Sequence, residues 1–183
     1  MKILIISYSF TGNNDALAAT LASELKADHI KVTENKLRTT GKIFFDILLN
    51  RIPEVNPKIE TVKNYDLVIF MGPVWMGKIA TPLRGYFKQL KTTMGKYAFV
   101  SISGGADGPN IKLRSELHKR IGKEPAALID MHIADLLPPE PKPERKDTSD
   151  YHLREEDVKS LTNKIVKILR EDLLDQNLFI LAG

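Results

Sequence analysis

The chain of 183 residues contains no cysteine. Disulfides, thiolate metal sites and dithiol redox chemistry are therefore excluded, so an electron-transfer role would require a bound cofactor. Long hydrophobic runs are also missing. The N-terminal apolar run, residues 3–6, has only Lys2 as a positive charge before it and is too short for a signal peptide or a membrane span. We therefore expect a cytoplasmic protein with no membrane span.

A large excess of one charge is absent as well. The 27 lysines and arginines against 23 aspartates and glutamates give a net charge of +4, which favours anionic cofactors or acidic partners. The basic residues are scattered, and no predicted helix carries a basic stripe interleaved with aromatics, so we expect no nucleic-acid binding. The four histidines lack metal-ligand spacing, and we expect no metal site.

Hydrophobic periodicity predicts strands that alternate with helices. Residues 2–8 form a continuous apolar, β-branched run, typical of a strand buried on both faces of a parallel sheet. Four further strands are predicted at residues 29–33, 66–71, 97–102 and 126–133. Apolar stripes at helical spacing fill the intervals and follow the last strand. The pattern predicts a doubly wound, three-layer α/β fold with a five-stranded parallel sheet, as a single domain over residues 1–183.

Two segments exceed this plan. Residues 39–51 are predicted as an additional amphipathic helix, and residues 137–150 as a proline-rich charged loop that is either mobile or extended. Both leave the carboxyl edge of the sheet, where ligands bind in open parallel sheets. They either shape access to a ligand or elaborate the surface, and the sequence leaves both interpretations open.

The strongest motif, SYSFTGNN, follows the first strand at residues 7–14. Hydroxyl residues and a glycine form a turn that leads into a helix, where free N–H groups and the helix dipole favour an anion such as a phosphate monoester. A plain helix-capping turn is the alternative interpretation. The dinucleotide fingerprint and the P-loop are both absent from the chain. The candidate phosphate-binding residues are Ser9, Phe10, Thr11, Gly12, Asn13 and Asn14.

Two further loops follow the third and fourth predicted strands. The first, MGPVWMG at residues 71–77, holds the only tryptophan between turn-forming residues, in a loop that can lie against a planar ring. The second, SGGADG at residues 103–108, lets the backbone approach a ligand closely. Hydrophobic packing is the alternative role for the tryptophan. The candidate residues in these loops are Pro73, Val74, Trp75, Met76, Gly77, Ser103, Gly104, Gly105 and Asp107.

These three loops resemble those of the flavodoxin-like FMN-binding proteins. Residues 9–14 are similar to the flavodoxin phosphate loop, with Asn14 where the family usually has threonine. Residues 73–77 match the P-x-W-x-G part of the loop that covers the flavin ring, although Met71 stands where the family has a glycine. The resemblance implies the strand order 2-1-3-4-5, with FMN as cofactor. It also implies that the phosphate lies at residues 9–14 and the ring between residues 73–77 and 103–107.

The resemblance leaves two functions open for an FMN redox protein. One is an electron carrier that serves a redox partner protein. The other is an NAD(P)H-dependent quinone or flavin reductase that acts on small acceptors, a class in which homodimers occur. A flavin-free phosphate-binding module is a weaker alternative. No side chain is predicted to act in acid–base catalysis, because the flavin itself carries the chemistry.

Overall fold

The computed structural model describes residues 1–35 and 38–174. Its five-stranded sheet has the order β2-β1-β3-β6-β7, and all four pairings are parallel. Counting only these strands, the order is the predicted 2-1-3-4-5, and the predicted α/β architecture is confirmed. The sheet strands are β1 (Ile3–Ser7), β2 (Asp28–Lys31), β3 (Leu67–Met71), β6 (Lys96–Ser103) and β7 (Ala127–His132). A separate antiparallel hairpin, β4 (Val74–Trp75) and β5 (Lys78–Ile79), follows β3.

Helices cover both faces of the sheet because its central strands are apolar on both sides. Along β3, Ile69 and Met71 join the core beneath one helical layer, and Val68 and Phe70 join the core beneath the other. The first core includes residues of α1 and α6, and the second includes residues of α3 and α4. The helices are α1 (Asn13–Leu25), α2 (Thr40–Leu48), α3 (Thr81–Leu90), α4 (Leu113–Ile121), α5 (Arg145–Asp150) and α6 (Glu155–Leu169).

The structure confirms the prediction for one of the two additional segments and contradicts part of the prediction for the other. The predicted helix in residues 39–51 is confirmed as α2, which packs against α3. The prediction that residues 137–150 form a mobile or extended loop is wrong for their second half, where α5 forms. Prolines at 138, 139, 141 and 143 disfavour a helix up to that point. Beyond them, the Asp147 carboxylate accepts the backbone N–H of Glu144 at 2.9 Å and closes the first turn of α5.

Asp157 stabilises the start of α6 and makes its stability depend on pH. Its carboxylate accepts the backbone N–H of Arg154 at 3.0 Å and the hydroxyl of Tyr151 at 2.7 Å. Hydrogen bonds from Arg154 and Tyr151 lower the pKa of Asp157 to about 2. A carboxyl whose pKa falls on folding stabilises the folded state above its unfolded pKa, and this contribution is lost as the pH falls towards 2.

We expect Asp157→Asn to lower the free energy of unfolding by about 1 kcal/mol at neutral pH, since the cap loses its charge. Between about pH 4 and pH 2 the wild type should lose stability more steeply than the variant, because only the wild type has this carboxyl to protonate. Urea titrations at several pH values measure both effects. Parallel pH curves for the two proteins would contradict the assignment.

Within residues 1–35 and 38–174, no helix is long and apolar enough to cross a membrane.

Candidate functional site

The three predicted loops meet at the carboxyl edge of the sheet, where the strand order changes direction between β1 and β3. Backbone hydrogen bonds join them: Tyr8 donates to Met71 O at 2.9 Å, and Gly72 donates to Val100 O at 3.2 Å. The Val74 N–H donates to Ser103 Oγ at 3.1 Å, which ties the second loop to the third. The structure therefore brings together the residues that the sequence separates by about 90 positions.

The first loop, residues 9–14, leads into α1 and leaves the N-terminus of this helix open to solvent. Gly12 lies at the N-cap with φ of 95°, a conformation that favours glycine, and its N–H donates to Ser9 Oγ at 3.0 Å. Thr11 and Gly12 are exposed, and nothing lies within 4 Å of a Cβ placed on Gly12. The first N–H groups of α1 have no acceptor within the helix. The loop can therefore bind an anion at this end of α1.

The side chains of Asn13 and Asn14 serve other contacts. Asn14 Nδ2 donates to Ile102 O at 2.8 Å, and Ile102 N donates to Asn14 Oδ1 at 3.1 Å, so the amide pairs with the end of β6. Asn13 pairs in the same way with Tyr151 O and the Leu153 N–H, at 2.9 and 3.0 Å. Both side chains are buried. The groups they can offer to a ligand are therefore their backbone N–H groups in the first turn of α1.

The second loop contains a tight hairpin. Met76 and Gly77, with φ of 53° and 71°, form its two-residue turn between β4 and β5. Pro73 and Val74 are buried, whereas Met76 is exposed at the tip. The half-buried Trp75 ring meets Phe10 of the first loop edge-on, with ring centroids 6.1 Å apart. Loop residues from β1 and β3 thus form one partly exposed aromatic surface.

A buried ion cluster that the sequence did not reveal lies behind this surface. The Arg38 guanidinium binds Glu34 through Nε at 2.6 Å and Asp46 of α2 through Nη1 at 2.7 Å, and its side chain is 2% exposed. Its central carbon lies 5.9 Å from the centre of the Trp75 ring, within the range of a cation–π contact. Glu34 also accepts the Tyr8 hydroxyl at 3.2 Å. The cluster connects α2 to Trp75.

Burial, reinforced by the charge of Glu34, raises the pKa of Tyr8 above its usual range. The hydroxyl therefore stays protonated at neutral pH and remains a donor to Glu34. The Tyr8 ring contacts Trp75 edge-on at 6.0 Å, so the ion cluster and the aromatic surface hold each other in place.

We expect Arg38→Lys to loosen this arrangement, because lysine lacks the planar guanidinium that binds two carboxylates and covers an aromatic ring. The free energy of unfolding should fall by about 1–3 kcal/mol, as typical of lost hydrogen bonds to charged groups. Trp75 is the only tryptophan, so fluorescence reports on this ring alone. Its quenching by acrylamide should increase in Arg38→Lys. The exposed Arg51→Lys serves as the control, and equal quenching in both variants would rule the contact out.

The third loop packs against the last part of the chain. Gly105 has φ of 80°, and a Cβ placed on it would lie 2.3 Å from the Cβ of His132 at the end of β7. A Cβ on Gly104 would lie 2.8 Å from the hydroxyl of Thr148 in α5. Asp107 is exposed and pairs with Arg145 of α5 at 2.9 Å. Part of the segment that was predicted as a charged loop, residues 137–150, therefore packs against the third loop.

A polar network extends from this loop along β6 and β7. Asp130 accepts the Ser101 hydroxyl and the Asn110 amide, the latter at 3.0 Å, and lies 3.3 Å from the imidazole of His132. Sequence reasoning did not assign Ser101, Asn110 or Asp130 to the site, since their positions give no motif. The network fixes the strand ends from which the third loop leaves.

No protein-family model matches this chain, and no curated protein matches its sequence. Solved structures do match. A flavoprotein from Lactobacillus acidophilus, crystallised with FMN, is 27% identical, with a TM-score of 0.61 over 70% of this chain and 92% of that one. The NMR structure of the apo form of the flavoprotein from that organism is 23% identical, with a TM-score of 0.58 over 73% and 94% of the two chains.

A protein from Bacteroides uniformis that is described as a flavoprotein is 13% identical, with a TM-score of 0.61 over 74% of this chain and 94% of that one. Identity this low indicates the fold alone. The resemblance to flavodoxin-like flavoproteins that the sequence predicted is thus confirmed at the level of the fold.

Proposed function

We propose that this chain, built on the fold of flavodoxin-like flavoproteins, binds FMN and transfers electrons through it. The observation that carries the proposal is the open N-terminus of α1 directly beside the aromatic surface of Trp75 and Phe10. A phosphate and a planar ring of one ligand can occupy these two features together. The FMN complex of the similar Lactobacillus flavoprotein supports the choice of this ligand.

The charges of the first loop fit a phosphate group. Residues 9–14 contain no acidic side chain. The nearest acid in sequence, Asp15, is bound by Lys31 Nζ at 2.6 Å, and the Ser7 hydroxyl lies 3.4 Å from its other oxygen. Its negative charge is therefore compensated locally, and the neutral donors of residues 9–14 can hold a phosphate monoester.

The second and third loops fit an isoalloxazine ring. Phe10, Trp75 and Met76 offer apolar surface that is exposed in whole or in part, and the backbone of residues 103–105 supplies polar groups close by. When bound, FMN supplies the electron chemistry, while the protein orients the ring and sets its electrostatic surroundings. The residues that would hold it are those of the three loops predicted from the sequence.

Electrostatics favour a cofactor that is reduced readily. The only acid in the three loops, Asp107, is paired with Arg145, and the net charge of the chain is +4. A reduced flavin that carries negative charge would therefore meet little repulsion. We expect a midpoint potential less negative than that of strongly acidic flavodoxin carriers. A redox titration that finds a very low potential would contradict this expectation.

The electron donor and acceptor define two forms of the proposal. The first is a carrier that exchanges electrons with a redox partner protein. The second is a reductase that uses NAD(P)H and a small acceptor.

The absorption spectrum of the purified protein tests the proposal. We expect added FMN to bind at micromolar concentration, with a shifted visible spectrum and quenching of Trp75 fluorescence. Rapid anaerobic bleaching by NADPH, followed by turnover with a quinone, would identify a reductase. A bound flavin that nicotinamides leave unchanged would identify a carrier. Absence of FMN binding would overturn the proposed function.

A further inference from the structure

Exposed apolar side chains are concentrated on α2 and the residues after it. Among the residues that the structure describes, nine large apolar side chains are exposed, and five of them lie between positions 44 and 52. We call these five the α2 patch, and each is 46–65% exposed. The α2 patch consists of Phe44, Phe45, Leu48, Leu49 and Ile52.

Helical geometry explains why this patch is continuous. Four of its members occur at the spacing i, i+1, i+4 and i+5, which places them on one side of α2. Ile43, Asp46 and Ile47 occupy the opposite side and are buried. Ile52 extends the patch beyond the helix, with its Cγ2 3.5 Å from a Cβ placed on Gly85 of α3. The helix thus carries apolar side chains on its buried side and on its exposed side.

We propose that the α2 patch is the contact surface of a symmetric homodimer, with a second copy of this chain as its occupant. Five apolar side chains at about half exposure present on the order of 500 Å² of apolar surface. A standard dimer buries about 800 Å² on each partner, of which roughly 65% is apolar in homodimers. The patch therefore supplies the apolar part of one such interface.

Charge also suits self-association through this surface. The only charged side chain within residues 43–49 is Asp46, which is buried and bound to Arg38. Two copies can therefore meet across a two-fold axis without bringing like charges together at the centre. Lys42, Arg51 and Glu54 lie around the patch and are exposed. They correspond to the polar rim of an interface, where charges contribute little to affinity.

The absence of cysteine provides a direct test. A single introduced cysteine is the only thiol, and a residue close to a two-fold axis meets its own copy, within reach of a disulfide. We expect at least one of Phe45→Cys and Leu48→Cys to form a disulfide-linked dimer under mild oxidation. Ile111→Cys is the matched control, since Ile111 is 85% exposed and lies outside the patch. Cross-linking at the same rate in all three variants would overturn the proposal.

Sedimentation equilibrium supplies the second measurement, on protein with and without added FMN, so that it does not depend on flavin binding. We expect the wild type to be dimeric at about 50 µM, and Phe45→Lys/Leu48→Lys to raise the dissociation constant about 100-fold or more. Ile111→Lys should leave the constant unchanged, and circular dichroism verifies that each variant is folded. A wild type that stays monomeric at about 200 µM, or an unaffected double variant, would overturn the proposal.

Discussion

Replacing Thr11 with aspartate is expected to weaken FMN binding by roughly two orders of magnitude, because a carboxylate would stand close to the phosphate. Thr11 is exposed in the first loop, immediately before the Gly12 N-cap, so the substitution adds charge without disturbing the core. Titration of Trp75 fluorescence with FMN gives the dissociation constant. The effect should decrease at high salt, since this position is open to solvent.

Two controls separate repulsion from structural damage. Thr11→Asn has nearly the shape of the aspartate variant without its charge, and it should bind FMN within a few-fold of the wild type. Riboflavin, which lacks the phosphate, should bind Thr11→Asp and Thr11→Asn equally well. If Thr11→Asp binds FMN as tightly as Thr11→Asn, with both close to the wild type, or if riboflavin binding falls as much as FMN binding, the phosphate does not bind at residues 9–14.

Gly105→Ala is expected to lower the free energy of unfolding by about 2–4 kcal/mol and to weaken FMN binding at least tenfold. Two destabilising effects combine in this variant. A non-glycine residue at positive φ is strained, and the new methyl group would lie 2.3 Å from His132 Cβ and 2.6 Å from its Cγ. Backbone movement in the third loop must relieve that overlap, and the loop would no longer match the ring edge. Thermal unfolding and fluorescence titration measure the two effects.

Gly108→Ala is the matched control, because Gly108 has φ of 93° but nothing within 4 Å of its Cβ position. It should show only the conformational strain, about 1–2 kcal/mol. Combining Gly105→Ala with His132→Gly removes the overlapping atoms, so the double variant should be more stable than the sum of the single effects predicts. Equal destabilisation by the two alanine variants, with no coupling to His132, would show that the overlap has no effect.

Arg84 illustrates how far a local pattern can mislead about burial. A cation in the first turn of α3 is ordinarily a solvent-exposed residue, yet Arg84 is 1% exposed. Its Nη1 donates to Asn50 Oδ1 at 3.2 Å, and Nε and Nη2 have no partner among the described residues. Burial, together with the charge of Arg120, lowers the pKa of Arg84 to about 10. The chain after α2 covers this residue, and the sequence contains no sign of that contact.

The residues of the candidate site also fall into two groups, those that could be predicted from the sequence and those that could not. The three loops were predictable, because each follows a strand whose apolar run marks its end, and the carboxyl ends of neighbouring parallel strands converge. The structural role of the Asn14 side chain could not be predicted, because its amide pairs with the backbone of Ile102, 88 positions away. Arg38 also carries no motif. Its contact with Trp75 depends on how α2 packs.

The sequence alone determined the alternation of strands and helices, the strand ends and the three loops at them. Those features follow from local periodicity, which each residue expresses through its near neighbours. Only the tertiary structure decided that residues 137–150 fold back onto Gly104, that Arg38 is buried over Trp75, and that α2 keeps one apolar side exposed. The physical reason is that contacts between distant segments depend on packing and on the order of the strands, which no local pattern encodes.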